Sequence, residues 1–125
     1  MQKTPILALI PAWSEEIHIA PVVETTRNHL DALVVDDGAD DETPVLATAA
    51  GATVVSQDKN LGKGRALVTG FNWAMERGYD AVLSLDADGQ HDPNEIHKFL
   101  KAYCEDAGDL ITGRRNFKQM PFHNR

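Results

Sequence analysis

The sequence predicts an α/β domain, a three-layer sandwich in which a mostly parallel central sheet lies between helices. Three observations carry this expectation. Short apolar runs alternate with amphipathic stretches of helical length. Each apolar run ends in Gly, Asp or Pro. The intervening stretches are long enough for right-handed crossovers between parallel strands, which demand helices on both faces of the sheet. The 125 residues suffice for one domain with a real core and are too few for two.

Taken in order, Ile6-Leu7-Ala8-Leu9-Ile10 reads as a first strand stopped by Pro11, and Ile17 to about His29 as a helix whose apolar face comes mostly from Ile17, Val22 and Val23. Pro21 falls inside that helix and disfavours its first turn. Ala32 to Val35 is the second strand. The next helix opens with Thr43 as N-cap and Pro44 at its first position and runs to about Ala50, where Gly51 ends it. Ala52 to Ser56 is the third strand, Gly64 to Arg77 a longer helix closed by Gly78, and Ala81 to Leu85 the fourth strand. Asp92-Pro93-Asn94-Glu95 combines an N-cap, a proline and an early acid, so a helix is expected from Pro93 to about Glu105, with a fifth strand at Leu110 to Thr112. Asn116 to Arg125 has no periodicity, and no internal repeat, low-complexity tract or linker interrupts the chain.

Composition narrows the partners. Twelve Lys and Arg against nineteen Asp and Glu give a net charge of −7 without any basic run, which argues against nucleic acid. The single cysteine, Cys104, cannot close an intrachain disulfide and reads as a core filler, in keeping with a reducing cytoplasm. The first apolar run is too short for a signal-peptide core or a membrane span, so a soluble, cytoplasmic domain is expected.

In a doubly wound sheet, ligands bind beyond the carboxyl ends of the strands, and the chemistry-bearing residues of this chain fall there. Strand one runs into Pro11-Ala12-Trp13-Ser14-Glu15-Glu16, strand two into Asp36-Asp37-Gly38, strand three into Gln57-Asp58-Lys59-Asn60-Leu61-Gly62-Lys63-Gly64, and strand four into Asp86-Ala87-Asp88-Gly89-Gln90-His91. In an extended segment residues i and i+2 point the same way, so Asp86 and Asp88 can converge on one hard divalent cation of the kind that carries a diphosphate. Five acids crowd the seven residues from Asp36 to Glu42. Asp40, Asp41 and Glu42 read as solvated acids favouring a helix N-terminus, whereas Asp37, next to the buried run, could accept from the N–H of a nucleobase edge. The Asn60–Gly64 segment either lets N–H groups and Lys63 approach phosphate or is a plain glycine turn. Trp13 is either a rim aromatic stacking on a base or a partly buried core residue. His91 either reaches a metal or phosphate or is solvated, and Arg114 and Arg115 either clamp a phosphate or are exposed.

In this order the motifs resemble the family 2 glycosyltransferases, above all the dolichyl- and polyprenyl-phosphate sugar transferases. Pro11 to Glu16 is similar to their Pro-Ala-Tyr-Asn-Glu-Glu, Val34 to Asp41 to Val-Val-Asp-Asp-Gly-Ser-Thr-Asp, Asn60 to Gly64 to Asn-Leu-Gly-Lys-Gly, Asp86 to His91 to Asp-Ala-Asp-Gly-Gln-His, and Gly113-Arg114-Arg115 to Gly-Ser-Arg. The resemblance implies a GT-A, Rossmann-like fold over residues 1–125 and a nucleotide-sugar donor, UDP- or GDP-linked. By it Pro11, Trp13, Glu15 and Asp37 hold the base and ribose, with Asp37 reading a base N–H. Lys63 lies near the nucleotide, as does Ala87 beside Asp86. Asp86 meets the ribose, the metal or both, Asp88 and Gln90 complete the site for Mg²⁺ or Mn²⁺, and Arg115 faces the phosphates or the acceptor. Asp86, Asp88 and Arg115 are thus the implied catalytic group. Trp13 and Ser14 depart from the family's Tyr and Asn, and Ala39 and Asp40 from its Ser-Thr. The family also continues into an acceptor region where this sequence stops.

A diphosphate leaving an anomeric carbon gathers negative charge that a bound cation neutralises, and single displacement inverts the centre. A polyprenyl or dolichyl phosphate is already anionic and needs no general base. None is evident after Asp88, since Glu95 and Glu105 fall in a helix pattern and Asp109 starts a strand. That favours a phosphate acceptor, with peripheral association at the inner face of a membrane, or an acceptor half outside this sequence. Three other classes compete: a response-regulator receiver, whose acidic pair follows the first strand; an Asp-x-Asp-Gly phosphatase, whose aspartates open the fold; and a nucleotide-sugar-binding module that does not turn over.

Overall fold

The computed structural model describes residues 6–38, 40–58 and 61–87 in full, and the backbone of 118–121. Strand β1 (Ile6–Ala12) is followed by helix α1 (Ile19–Arg27), β2 (Asp31–Asp36), α2 (Thr43–Ala50), β3 (Thr53–Ser56), α3 (Lys63–Glu76), β4 (Ala81–Ser84) and β5 (Lys118–Pro121). The sheet order is β3-β2-β1-β4-β5. The first four strands are parallel and β5 runs antiparallel to β4.

Alternation along the strands builds two cores. Ile6, Ala8 and Ile10 of β1, with Ala32, Val34 and Leu83, point to one face and meet Ile19, Val22 and Val23 of α1 and Ala47 of α2. Leu7, Leu9, Leu33, Val35 and Val82 point to the other, against Ala66 and Ala74 of α3. Helices thus cover both faces, the three-layer sandwich expected from the sequence. The apolar runs are continuous because both sides of each strand are covered. Contact on the α3 side is close enough to require glycine: a Cβ at Gly70 would lie 2.6 Å from Leu9 Cδ2.

The order of strands creates the crevice. β1, β2 and β3 step outward in one direction, with α1 and α2 on one face, and α3 then crosses on the opposite face to place β4 on the other side of β1. Under constant crossover handedness that reversal parts the loops after β1 and β4, the point at which doubly wound sheets take up ligands. In receiver-like sheets the second strand lies at the edge, whereas here β3 does, so the receiver reading is set aside.

Several boundaries differ from the sequence expectation for physical reasons. Pro11 does not stop β1. Leu9 turns its carbonyl to β4, accepting the Leu85 N–H at 2.9 Å, and Ala12 turns its carbonyl to β2, accepting the Asp37 N–H at 3.0 Å. By alternation the Pro11 nitrogen faces the β4 side, where the register ends at Leu9 and Ser84, so β1 continues through Pro11 and Ala12 on its pairing with β2 alone. Ile17 precedes α1 and is 80 % exposed, leaving Ile19, Val22 and Val23 as the buried face. Pro21 sits in the first turn, where its missing N–H costs nothing. Thr43 is the first residue of α2 and Glu42 its N-cap. The aperiodic terminal stretch holds β5, which takes its conformation from the ladder to β4. The expected helix from Pro93, the strand at Leu110 to Thr112, His91 and Cys104 lie outside the described residues.

Candidate functional site

At the carboxyl end of the sheet an open cleft of about 220 Å³ is lined by Pro11, Ala12, Trp13, Glu15, Asp37, Lys63, Ala66, Asp86 and Ala87. These residues come from the ends of β1, β2 and β4 and the first turn of α3. The structure therefore brings together Pro11, Trp13, Glu15, Asp37, Lys63, Asp86 and Ala87, which the sequence placed at separate strand ends. Asp88, Gln90 and Arg115 lie outside the described residues. Trp13 is 52 % exposed at the cleft, a rim position rather than a core one.

Asp37 is the most constrained carboxylate of the cleft, at 8 % exposure. Its Oδ1 accepts the Gln57 amide at 2.9 Å and the Leu61 N–H at 3.0 Å, and its Oδ2 accepts the Gly62 N–H at 3.0 Å. Gly62, at φ +94°, holds a conformation that favours glycine, and there the consecutive N–H groups of Leu61 and Gly62 reach one side chain. Burial pulls the Asp37 carboxyl pKa upward, and the three hydrogen bonds, with the Gln57 amide foremost, outweigh it and leave the group below the ordinary Asp value. The Gln57 amide is itself oriented, because Thr69 of α3 donates its hydroxyl to Gln57 Oε1 at 3.0 Å.

In the same cleft, Lys63 Nζ stands 2.9 Å from Asp86 Oδ1 and joins the start of α3 to the end of β4. Asp86 keeps only 19 % side-chain exposure and Lys63 61 %. The Leu85-to-Leu9 hydrogen bond carries the β1–β4 ladder to the residue before Asp86 and so fixes where that carboxylate emerges. Among the described residues no three His, Cys, Asp or Glu side chains form a metal-sized cluster. The described part of the expected donor set is one carboxylate, whose hard oxygens suit Mg²⁺ or Mn²⁺.

The β1–α1 loop is clasped to α2 by two contacts in opposite directions. Glu15 donates its backbone N–H to the buried Thr43 hydroxyl at 2.9 Å, and Glu42 donates its N–H to Glu16 Oε1 at 3.0 Å. Asp41 accepts the Thr43 N–H at 3.0 Å, and although burial raises its pKa, the hydrogen bonds from Thr43 leave it lowered. Of the three acids that the sequence assigns to this helix start, Asp41 serves it through its side chain, while Glu42 stands at the N-cap without a side-chain cap bond. Within the clasped loop Ser14 adopts φ +56°, a left-handed conformation unusual for a side-chain-bearing residue.

Sequence reasoning did not find Thr43, Glu16, Gln57 or Thr69 as supports of the cleft. Thr43 reads as a helix cap. Gln57 and Thr69 are twelve residues apart with no motif linking them, and only the packing of α3 joins them.

A doubly wound sheet with acids and a lysine around the crevice at its switch point defines a ligand-binding domain of the GT-A kind. The chain matches the glycosyl transferase family 2 model over residues 8–125. It is 31 % identical to the UDP-N-acetylglucosamine–dolichyl-phosphate N-acetylglucosaminyltransferase of Methanococcus voltae, over 93 % of this chain and 56 % of that one. It is 34 % identical to the polyprenol monophosphomannose synthase of Mycolicibacterium smegmatis, over 87 % of this chain and 44 % of that one. Glucosyl-3-phosphoglycerate synthase of Mycobacterium tuberculosis, solved with Mn²⁺, UDP-glucose and phosphoglyceric acid, superimposes with a TM-score of 0.62 at 29 % identity, over 75 % of this chain and 37 % of that one. The same enzyme has also been solved with Mg²⁺ and UDP. This chain belongs to glycosyl transferase family 2, and it spans about half the length of these curated relatives.

Proposed function

We propose that this chain is the donor-binding part of an inverting glycosyltransferase that moves a sugar from a UDP- or GDP-sugar to an acceptor phosphate carried on a polyprenol or dolichol. The observation that carries the reading is the convergence of Trp13, Glu15, Asp37, Lys63 and Asp86 on one cleft at the β1/β4 switch point. The M. voltae and M. smegmatis relatives, named for dolichyl phosphate and polyprenol, support the acceptor class. The M. tuberculosis neighbour, solved with Mn²⁺ and UDP-glucose, supports the donor class and the need for a cation.

In this reading Trp13 stacks on the base, Asp37 accepts a base N–H, and Pro11, Glu15 and Ala87 close around base and ribose. Lys63 faces the diphosphate, Asp86 holds a ribose hydroxyl or a cation, and Asp88 and Gln90 complete the site for Mg²⁺ or Mn²⁺. Arg115 faces the phosphates or the acceptor. A bound divalent cation would supply Lewis-acid neutralisation of the charge that builds on the departing diphosphate. The acceptor phosphate is anionic without proton removal, so the chain is asked for orientation and charge compensation rather than a base. A lipid-borne acceptor would bring the enzyme to the inner face of a membrane, and among the described residues no helix is long and apolar enough to cross one. Because the chain spans about half of its relatives, a module that binds the donor without turnover is the second reading.

The test is calorimetric titration of the chain with UDP and GDP, each with Mn²⁺ and with EDTA, followed by transfer of radiolabelled sugar to polyprenyl phosphate. Metal-dependent binding with transfer supports the enzyme, binding without transfer supports the module, and no binding of either nucleotide sinks both. Asp88→Asn is expected to abolish the metal dependence while leaving thermal unfolding unchanged.

A further inference from the structure

We infer that the donor base is uracil rather than guanine, because the acceptor capacity of Asp37 is nearly filled from within the protein. The inference rests on the nucleotide-sugar reading above and narrows it. An ionised carboxylate has about four lone-pair sites, two per oxygen. Oδ1 of Asp37 already accepts from Gln57 Nε2 and Leu61 N–H, and Oδ2 accepts from Gly62 N–H. Among the described residues this leaves one site, on Oδ2.

One remaining site matches one donor. The pairing edge of uracil presents a single imide N–H between two carbonyl oxygens. Guanine presents two adjacent donors, a ring N–H and an exocyclic amine, which a carboxylate satisfies side by side only when each oxygen has a site to offer. Against Asp37 as held here, guanine would leave one of those donors desolvated and without an acceptor, a loss on the order of ten- to a hundredfold in affinity.

Gln57 and Thr69 set this filter. The Thr69 hydroxyl donates to Gln57 Oε1 and thereby turns the amide nitrogen toward Asp37. A flipped amide would oppose oxygen to oxygen. Removing the Gln57 side chain returns one site to Oδ1, and with the site on Oδ2 a side-by-side pair of acceptors becomes available. Gln57 is therefore a positioning residue whose loss changes which base is preferred.

The experiment measures dissociation constants of the wild-type chain for UDP, GDP and N3-methyl-UDP in saturating Mn²⁺, and repeats the UDP and GDP titrations with Gln57→Ala. The expected result is UDP tighter than GDP by about tenfold or more, a comparable loss on N3-methylation, and a UDP-to-GDP ratio compressed severalfold in Gln57→Ala. Equal or tighter binding of GDP by wild type overturns the inference and leaves the nucleotide-sugar reading standing, as does N3-methyl-UDP binding as well as UDP. Should Gln57→Ala fold and keep the wild-type ratio, the acceptor count is not the filter and the inference falls. If the variant fails to fold, the two wild-type comparisons decide. Absence of binding by all three nucleotides overturns the functional reading itself.

Discussion

Replacing Asp37 by Asn leaves shape and volume almost unchanged and alters only what the side chain can accept. In the native protein the carboxylate receives three N–H groups at 2.9, 3.0 and 3.0 Å. Hydrogen bonds to a charged acceptor contribute about 1.5–3 kcal/mol each and neutral ones about 1 kcal/mol. An Asn oxygen in place of Oδ1 keeps the Gln57 and Leu61 bonds at roughly half strength, while its amide nitrogen then faces the Gly62 N–H, donor against donor. The expected loss, discounted for the water-accessible side of the cleft, is about 2–4 kcal/mol. For a chain of this size that is a fall in Tm of roughly 6–15 °C. The pH dependence follows from the lowered Asp37 pKa. A folded-state pKa below the unfolded value gives stability that is present above the unfolded pKa and lost as pH falls through the folded one. Urea denaturation at pH 7 and again below the ordinary Asp range should therefore show a wide gap between wild type and Asp37→Asn that narrows in acid. A gap under about 0.5 kcal/mol at pH 7, within the scatter of ordinary surface substitutions, would refute the view that this carboxylate organises the loop before α3. So would a gap of equal size at both pH values.

Other perturbations report on other parts of the structure. Ser14→Gly relieves a side chain held at φ +56°; the conformational relief of about 1–2 kcal/mol exceeds the entropic cost of glycine, so thermal unfolding should shift upward by a few degrees. Gly70→Ala places a Cβ against Leu9; an overpacking cost of about 1–3 kcal/mol outweighs a gain in helix propensity of about 1 kcal/mol, and urea denaturation should show a net loss. Tyr79 donates to Asp31 at 2.8 Å, and burial, then this bond, pushes its pKa up to about 12. Of the two tyrosines, one should titrate near that value by phenolate absorbance and vanish in Tyr79→Phe. Since its folded pKa is raised, its contribution is complete below the unfolded value near 10 and disappears as pH climbs toward 12.

The parallel strands were legible because burial on both faces writes continuous apolar runs, and Ile6 to Ile10 and Ala81 to Leu85 can hardly be read otherwise. Strand β5 was not, because Lys118-Gln119-Met120-Pro121 carries no alternation and is a strand only by virtue of β4 beside it. Thr43 was misread for a related reason. Locally it has every property of an N-cap, yet a residue twenty-eight positions away supplies the donor its hydroxyl accepts. The cleft residues were legible as a set, since each stands where an apolar run ends and doubly wound sheets bind ligands at those ends. Their supports were not, because Gln57 and Thr69 acquire meaning only once α3 is laid across the sheet.

The charges around the cleft bear on why a cation belongs to the proposed reaction. Glu15, Asp37 and Asp86 contribute three carboxylates to its lining and Lys63 one ammonium, which is already in contact with Asp86. The chain as a whole carries −7. A diphosphate approaching carboxylates at about 5 Å meets roughly 3 kcal/mol of repulsion per charge pair at an effective dielectric of about 20. One lysine, 61 % exposed and shared with Asp86, offsets only part of that. The same carboxylates that repel a bare diphosphate attract a divalent cation, and a hard cation brings its own preference for phosphate oxygen. Under the proposed function, an acid-lined cleft is thus self-consistent when the cation and the diphosphate enter as partners. Uncharged uridine, which carries the base and ribose alone, meets no such barrier and should bind equally well in Mn²⁺ and in EDTA.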